Sequence, residues 1–259
     1  MARHNAPPLA FALLSLLLVP ALGAQAPATP PASKAAPASP AGWKSLFDGK
    51  TLDGWRGYKK TDAKESRWMV EDGMLTLPRN DGKDTRGARD IISTDTYDQF
   101  ELEWEWKIAL AGNSGVKYFV LEDLDSAIGH EYQLIDDERH PDAKVGPKRQ
   151  TSALYDVLAA ANRPLKPAGE WNTSRVVVRG TTVEHWLNGT KVLSYELGSP
   201  ALKAAVAESK FKDVARFGTP QKGHILVQDH GDQVWFKSIR IRPATGAPVT
   251  APAAKAGGR

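Results

Sequence analysis

Glu131 and Gln133 are two residues apart in the predicted strand His130–Ile135, and Ile135 shares their face, so that face is not wholly polar. In a β-strand, side chains two residues apart share a face and lie about 6–7 Å from each other. A carboxylate in such a pair can act as a general base, and an amide can bind a hydroxyl group. If the pair is functional, Glu131 is the base and Gln133 a ligand of a substrate hydroxyl; alternatively, both belong to a solvated outer face.

Gln228 and His230 form a second alternating pair at the end of another predicted strand. Their side chains should share one face, and Asp229 between them should face the other way. Imidazole titrates near neutral pH and suits acid or base catalysis. We predict a catalytic role for His230 and substrate binding by Gln228; the alternative for His230 is a packed structural residue, as we expect for His185.

Asn113 and Ser114 precede a predicted strand, in a loop that begins and ends with glycine. An amide and a hydroxyl at this place can hydrogen-bond to the hydroxyl groups of a ligand. Asn and Ser are also common in turns for purely local reasons. Both residues are predicted here as substrate ligands, with the turn as the alternative.

Three glutamates alternate along Phe100–Ile108, at positions 101, 103 and 105. Carboxylates at this separation can serve a two-carboxylate glycoside hydrolysis. The pattern resembles the catalytic strand of laminarinase-like glycosidases, but it lacks the aspartate between the two glutamates and the added bulge. A charged strand face opposite five apolar residues explains the three glutamates without catalysis.

The acidic run Asp136–Glu138, with His140 and Asp142 close behind, contains ligands that a hard cation such as Ca²⁺ prefers. The spacing is not that of an EF-hand, and Arg139 and other basic residues nearby balance the charge. We predict no metal ligands here, and the sequence leaves the cofactor unknown.

The elements that must position these residues are mostly strands, because apolar and polar residues alternate with period two from Gly42 onwards. About ten strands are expected, together with two hairpins. One short helix should begin at Ser199-Pro200 and run towards Lys210. So many antiparallel strands favour two stacked sheets over one open sheet. The predicted fold class is therefore an all-β jelly-roll sandwich with one short helix. The expected strands and hairpins are Arg67–Val70 with Met74–Leu77, Phe100–Ile108, Gly115–Leu121, His130–Ile135, Val176–Val178, Thr182–Leu187 with Lys191–Tyr195, Ile225–Gln228 and Val234–Arg242.

The ends of the 259-residue chain differ in composition from its middle. Residues 1–23 are predicted to be a cleavable signal peptide, because their apolar run is too short to cross a bilayer. An Ala/Pro-rich linker (24–41) and a disordered tail (244–259) should flank one folded domain (42–243). We expect export to the periplasm or the medium and no membrane span.

The domain 42–243 carries 30 basic and 30 acidic residues, so its formal net charge is zero. This balance gives no support for nucleic-acid binding, which needs positive charge on the folded surface. The chain has no cysteine, which excludes disulfides and thiolate catalysis.

Seven blocks, in order, resemble the 3-keto-disaccharide hydrolase domain. They cover almost all of 42–243, and no block is diagnostic alone. They are Gly42–Trp55, Gly112–Val116, Glu131–Asp137 with His140-Pro141, Ser152–Tyr155, Gly169–Asn172, Glu184–Gly189 and Ile225–Ile241.

This resemblance implies a concanavalin-like jelly roll, exported by bacteria, that cleaves glycosides already oxidised at C3 of the sugar. A ketone at C3 acidifies the proton at C2, so a base can start an elimination that expels the group at C1. Tyr155 and Trp171, which lie in two of the blocks, are then expected to contact the sugar. A sugar 3-dehydrogenase would be the partner that supplies the ketone.

The sequence thus predicts an exported hydrolase of 3-keto-glycosides, with Glu131 and His230 as catalytic residues. Two alternatives stay open: a non-catalytic sugar-binding module, and an endo-glycanase that uses Glu101 and Glu105.

Overall fold

The computed structural model describes residues 42–82 and 90–244. The predicted signal peptide, linker and most of the predicted tail lie outside these residues. Within the described ranges, no helix has the length and apolar character needed to cross a membrane.

Thirteen strands and one α-helix make up the described ranges, apart from two single-turn 3₁₀ helices at Asp142–Lys144 and Pro147–Arg149. The strands are β1 (Lys44–Ser45), β2 (Trp55–Gly57), β3 (Met69–Glu71), β4 (Met74–Leu77), β5 (Ile91–Tyr97), β6 (Phe100–Ile108), β7 (Asn113–Val120), β8 (His130–Ile135), β9 (Asn172–Arg179), β10 (Thr182–Leu187), β11 (Thr190–Glu196), β12 (Gly223–Val227) and β13 (Val234–Pro243). The helix α1 spans Pro200–Ala207.

The strands form two antiparallel sheets. The large sheet has the order β11-β10-β9-β6-β13-β4-β3, with β1 paired to β13, and the small sheet has the order β2-β5-β12-β7-β8. Alternate apolar residues of both sheets meet in one core; for example, the rings of Trp104 on β6 and Tyr132 on β8 lie 5.1 Å apart. The predicted all-β sandwich with one short helix is confirmed.

The sequence prediction placed β6, β8 and β10 correctly and missed β1, β2 and β5. In β5 the polar run Ser93–Thr96 hides the strand pattern. The helix ends at Ala207, before the predicted Lys210, because Ser209 closes a turn there. Its hydroxyl donates to the Val206 carbonyl (2.8 Å) and accepts from the Phe211 amide (3.1 Å).

The small sheet has an outer face that positions polar side chains away from the core. On β8, His130, Tyr132 and Leu134 point inward and Glu131 and Gln133 point outward. The same alternation places Lys117 of β7 outward, directly across from Glu131 in the strand register. This outer face carries the cavity described next.

Candidate active site

A cavity of about 400 Å³ lies on the outer face of the small sheet. Strands β7, β8 and the end of β12 form its floor, and the segment after α1 contributes a wall through Phe211 and Val214. Its size falls within the range of roughly 300–1,000 Å³ that small-molecule sites occupy. Its polar lining residues include Asp90, Lys117, Glu131, Lys210 and Gln228.

Glu131 is the buried carboxylate of this cavity, with only 5% of its surface exposed. Its side chain lies over Gly115 of β7: a Cβ atom added there would stand 2.7 Å from Glu131 Oε1. Burial raises the pKa of Glu131, and the nearby Lys117 and Lys210 oppose that effect. A carboxylate with a raised pKa is a stronger base than one in water.

Lys117 lies beside Glu131. Its Nζ is 3.8 Å from Glu131 Oε2 and donates a hydrogen bond to the carbonyl of Ala127 at 3.1 Å. The ammonium group is therefore already held by two oxygen atoms of the protein. It is placed to balance the negative charge of the base.

Lys210 is different because it comes from the wall and not from the sheet. Its ammonium lies 4.1 Å from the centroid of the Tyr155 ring, and the residue is exposed and lines the cavity. The backbone amide of Lys210 donates to Asp156 Oδ2 at 2.8 Å, which fixes this turn against the loop that carries Tyr155. Partial burial lowers the pKa of Lys210.

Gln228 is held in place by a hydrogen bond to its own carbonyl and by the ion pair of the next residue. Ser114 Oγ donates to the Gln228 carbonyl (2.8 Å), and the next residue, Asp229, points inward to a buried ion pair with Arg67 (2.6 Å). The side-chain oxygen of Gln228 is buried and accepts no hydrogen bond within the described ranges. A buried acceptor without a donor is costly, so a ligand hydroxyl would satisfy it.

Asn113 and Gln133 share the outer face with Glu131, but they do not line the cavity. Asn113 Oδ1 is also buried without a partner in the described part of the chain. The Gln133 side chain is used locally: its oxygen accepts from the Leu134 amide (3.2 Å), and its nitrogen lies 3.5 Å from the Arg149 carbonyl.

Three further predicted site residues do not line the cavity. Tyr155 is at the rim, where its hydroxyl donates to Asp142 (2.8 Å). His230 is exposed and does not line the cavity. Trp171 lies on the large sheet, where Lys237 covers its ring at 4.2 Å, so the structure does not bring it to the cavity.

The family of the chain follows from this fold and from comparison with known proteins. Residues 42–242 match the model of the 3-keto-alpha-glucoside-1,2-lyase-like domain. The chain belongs to this family.

Three relatives agree with this assignment. A protein of Bacteroides thetaiotaomicron named 3-keto-disaccharide hydrolase is 37% identical in an alignment of 227 residues, and the match covers 78% of this chain and 78% of that one. The crystal structure of a putative glycosyl hydrolase from Parabacteroides distasonis is 33% identical, with a TM-score of 0.69, and the match covers 79% of this chain and 94% of that one. A second such structure from the same organism is 29% identical with a TM-score of 0.61, and the match covers 78% of this chain and 99% of that one.

In this 3-keto-alpha-glucoside-1,2-lyase-like domain, the alternating glutamates of β6 lie on the outer face of the large sheet, whereas the cavity is on the small sheet. Glu101 pairs with Arg179 and Arg242, Glu103 with Arg240, and Glu105 with Lys237. These ion pairs account for the three carboxylates as a charged sheet face, and the cavity does not include them.

The acidic run after β8 is likewise engaged by donors from the protein. Asp136 accepts from the Ala111 amide (2.8 Å), Asp137 pairs with Arg163, and Asp142 pairs with Arg149 (2.7 Å). The run therefore acts as a set of loop cross-links.

His140, His230 and Asp232 place one potential metal ligand atom each within 4.8 Å of one another. His140 Nδ1 accepts a hydrogen bond from the Asp142 amide at 3.1 Å, so the neutral ring carries its proton on Nε2. A metal-bound histidine instead donates from the nitrogen that is not bound to the metal. One of the three candidate ligands is thus already engaged by the backbone, and we assign no metal to this group.

The inner side of β8 carries a second buried polar cluster, which includes His130 and His185. The Gly218 amide donates to His130 Nε2 (3.1 Å), so the neutral ring of His130 carries its proton on Nδ1. At the other end, His185 Nδ1 donates to the Ser152 carbonyl (2.8 Å), which can only accept. His185 is thus a buried, hydrogen-bonded residue, as the sequence predicted.

Tyr195 and Tyr118 join the two histidines into one chain. His130 donates to Tyr195 (2.8 Å), Tyr195 to Tyr118 (2.5 Å) and Tyr118 to His185 Nε2 (2.8 Å). Every donor has an acceptor and every member is neutral. Burial accordingly lowers the pKa of His130 to about 3 and that of His185 to about 4.

Sequence reasoning missed three polar residues of the cavity. Lys117 could have been found, because it shares its strand face with Asn113 and lies opposite Glu131 once the hairpin is drawn. Asp90 precedes β5, which the sequence did not predict, and Lys210 lies in an irregular turn. No periodic pattern marks either of these two.

Proposed function

We propose that this protein cleaves 3-keto-glycosides, with Glu131 as the general base. The observation that carries the proposal is a buried carboxylate of raised pKa that faces a cavity of about 400 Å³ beside an unpartnered amide oxygen of Gln228. The relative named 3-keto-disaccharide hydrolase supports the substrate class.

In the proposed reaction, Glu131 removes the proton from C2 of the sugar. The electron pair of that bond moves towards the C3 ketone and forms an enolate. As the enolate collapses, the C1–O bond breaks and the leaving oxygen takes up a proton, so that a C1–C2 double bond remains. Water then adds at C1, and Glu131 returns the proton to C2.

The cavity offers two further contributions to this chemistry. Lys117, 3.8 Å from Glu131, keeps part of the base in its ionised form against the effect of burial. Gln228 accepts a hydrogen bond from a hydroxyl of the sugar through its free oxygen.

The proton for the leaving oxygen has two candidate donors. Asp90 lines the cavity, and burial raises its pKa, which favours the protonated form that an acid needs. His230, the residue favoured by sequence, is exposed and outside the lining. Loss of the true acid should slow substrates with poor leaving groups most, so Asp90→Asn and His230→Ala should be compared on such substrates.

The decisive test uses a 3-keto-disaccharide and its unoxidised parent in deuterated water. The protein should release the aglycone from the keto form alone, and the sugar product should carry deuterium at C2 beyond the exchange seen without protein. Binding of both sugars without turnover would instead identify a sugar-binding module. Cleavage of the unoxidised sugar would favour a two-carboxylate hydrolysis.

We further propose that the protein is exported, on the basis of residues 1–23. Mass spectrometry of the mature protein should find its first residue near Ala24. A dehydrogenation at C3 of the sugar must supply its substrate, because the proposed elimination needs the ketone.

A further inference from the structure

We infer that Lys210 binds the C3 oxygen of the substrate and stabilises the enolate that forms there. This inference rests on the proposed function. It concerns a residue that neither the family match nor the sequence pattern assigns.

The two ammonium groups of the cavity are not equivalent. Lys117 Nζ is held by the Ala127 carbonyl at 3.1 Å and lies 3.8 Å from Glu131. Lys210 Nζ has no hydrogen bond or ion pair with an oxygen atom in residues 42–82 and 90–244. Its near neighbours are the rings of Tyr155 (4.1 Å) and Phe211 (5.0 Å).

An ammonium group on aromatic rings keeps its N–H donors available. The rings stabilise its charge through cation–π attraction but accept no conventional hydrogen bond. The surrounding turn is also fixed, because the Lys210 amide binds Asp156 (2.8 Å) and Ser209 Oγ accepts from the Phe211 amide (3.1 Å). Lys210 is therefore a positioned cation whose ammonium group makes no hydrogen bond or ion pair with a carboxylate in the described ranges.

The reaction would supply an anion. When Glu131 takes the C2 proton, the negative charge leaves the carboxylate and appears on the C3 oxygen. Lys117 lies where the charge starts, and Lys210 is the remaining cation among the cavity's described lining residues. A donor already in place for the developing charge lowers the barrier without reorganisation.

Lys210→Met tests this assignment, with Lys212→Met as the matched control. Lys212 is an exposed lysine two residues away that does not line the cavity. Lys210→Met should lower kcat on the 3-keto-disaccharide by on the order of 10²–10³, and Lys210→Arg should recover part of that loss. Lys212→Met should retain the wild-type rate.

A second readout separates enolate stabilisation from simple substrate binding. The rate at which wild-type protein exchanges the C2 hydrogen of free 3-keto-glucose with deuterated water reports enolate formation without cleavage. Lys210→Met should slow this exchange as much as it slows turnover. A normal exchange rate with slow aglycone release, or a raised KM with unchanged kcat, would overturn the assignment.

The outcomes also distinguish this inference from the proposed function. If wild-type protein cleaves the 3-keto substrate and Lys210→Met is as active as Lys212→Met, only the role of Lys210 is wrong. If wild-type protein neither cleaves 3-keto-glycosides nor exchanges C2 hydrogen, both are wrong.

Discussion

The two faces of strand β8 bear polar clusters of opposite character. On the inner face, a chain of neutral groups runs from His130 to His185, and each hydrogen bond in it has a donor and an acceptor. On the outer face, Glu131 has the Lys117 ammonium at 3.8 Å, and the Lys210 ammonium lies on the ring of Tyr155. Burial shifts pKa values on both faces, but only the outer groups adjoin a space that a ligand can fill.

This difference separates polar groups that stabilise the fold from polar groups that can react. A buried network in which every hydrogen bond is made stabilises the elements that it connects. It has no unpaired donor or acceptor left for a substrate. An unsatisfied charged cluster costs stability and is therefore a better indication of function. Alternation along one strand is what allows residues 130–134 to serve both purposes.

The largest expected effect comes from Glu131→Gln. Turnover of the 3-keto substrate should fall by about 10²–10⁴, because the amide cannot take the C2 proton. The free energy of unfolding at pH 7 should not decrease, because burial disfavours the charged form that the substitution removes. Steady-state kinetics and urea unfolding measure the two quantities, and a variant with near-normal turnover would refute the base assignment.

Gly115→Ala should disturb the base without removing it. The new Cβ would stand 2.7 Å from Glu131 Oε1, so the carboxylate must move, and turnover should fall about 10–10²-fold. Gly112→Ala is the matched control, since its Cβ would be equally close to the core side chain of Ile108. Gly112→Ala should lower the melting temperature and leave turnover close to the wild-type rate. A Gly112→Ala variant that loses as much turnover as Gly115→Ala would contradict the contrast between the two faces.

The pH dependence of stability should have opposite signs on the two faces. The pKa values of His130 and His185 lie at about 3 and about 4 in the folded state, below the ordinary value near 6.5. The unfolded state then binds more protons, so their contribution falls as the pH drops below about 6.5. The raised pKa of Glu131 acts the other way, because its contribution is lost as the pH rises.

Urea unfolding of Glu131→Gln between pH 6.5 and 4.5 should therefore show a loss of about 1–3 kcal/mol per buried histidine. Adding His185→Asn should make the free energy of unfolding depend less steeply on pH. Adding His230→Asn, which changes an exposed ring, should leave that dependence unchanged. NMR spectra should also show no titration of the two buried rings above pH 5. A ring that titrates near pH 6.5 would show that the inner chain is open.

The smallest effect is expected from Glu105→Gln on the large sheet. Glu105 Oε2 lies 3.2 Å from Lys237 Nζ, and both side chains are about one-third exposed. Such a pair contributes less than about 1 kcal/mol, and turnover should be unchanged. If the wild-type protein cleaves unoxidised glucan and Glu105→Gln does not, the result would support the two-carboxylate hydrolysis instead.

The sequence predicted the fold well where the alternation is strict. The bounds of β6, β8 and β10 match, and Glu131 and Gln133 take the same side of β8 because period two fixes which side each residue takes. The sandwich itself followed from the number of strands.

The sequence could not predict which residues outside the regular strands reach the cavity. Lys210 lies in a turn whose place depends on packing against the loop of Tyr155, and that contact is made only in the folded chain. For Trp171 the sequence predicted a contact with the substrate, because the residue lies in a block that resembles the family. In the structure Trp171 packs on the large sheet with Lys237. Composition alone does not distinguish a tryptophan that packs on a sheet from one that binds sugar.

The pairing of β1 with β13 brings both boundaries of the domain together. Lys44 is the register partner of Ile241, and Ser45 is that of Arg240, so the chain enters and leaves the domain on neighbouring strands of the large sheet. The cavity belongs to the other sheet. This geometry makes the domain a suitable insert for a surface loop of a host protein, or a candidate for circular permutation, since either design uses adjoining ends on the sheet that does not carry the cavity.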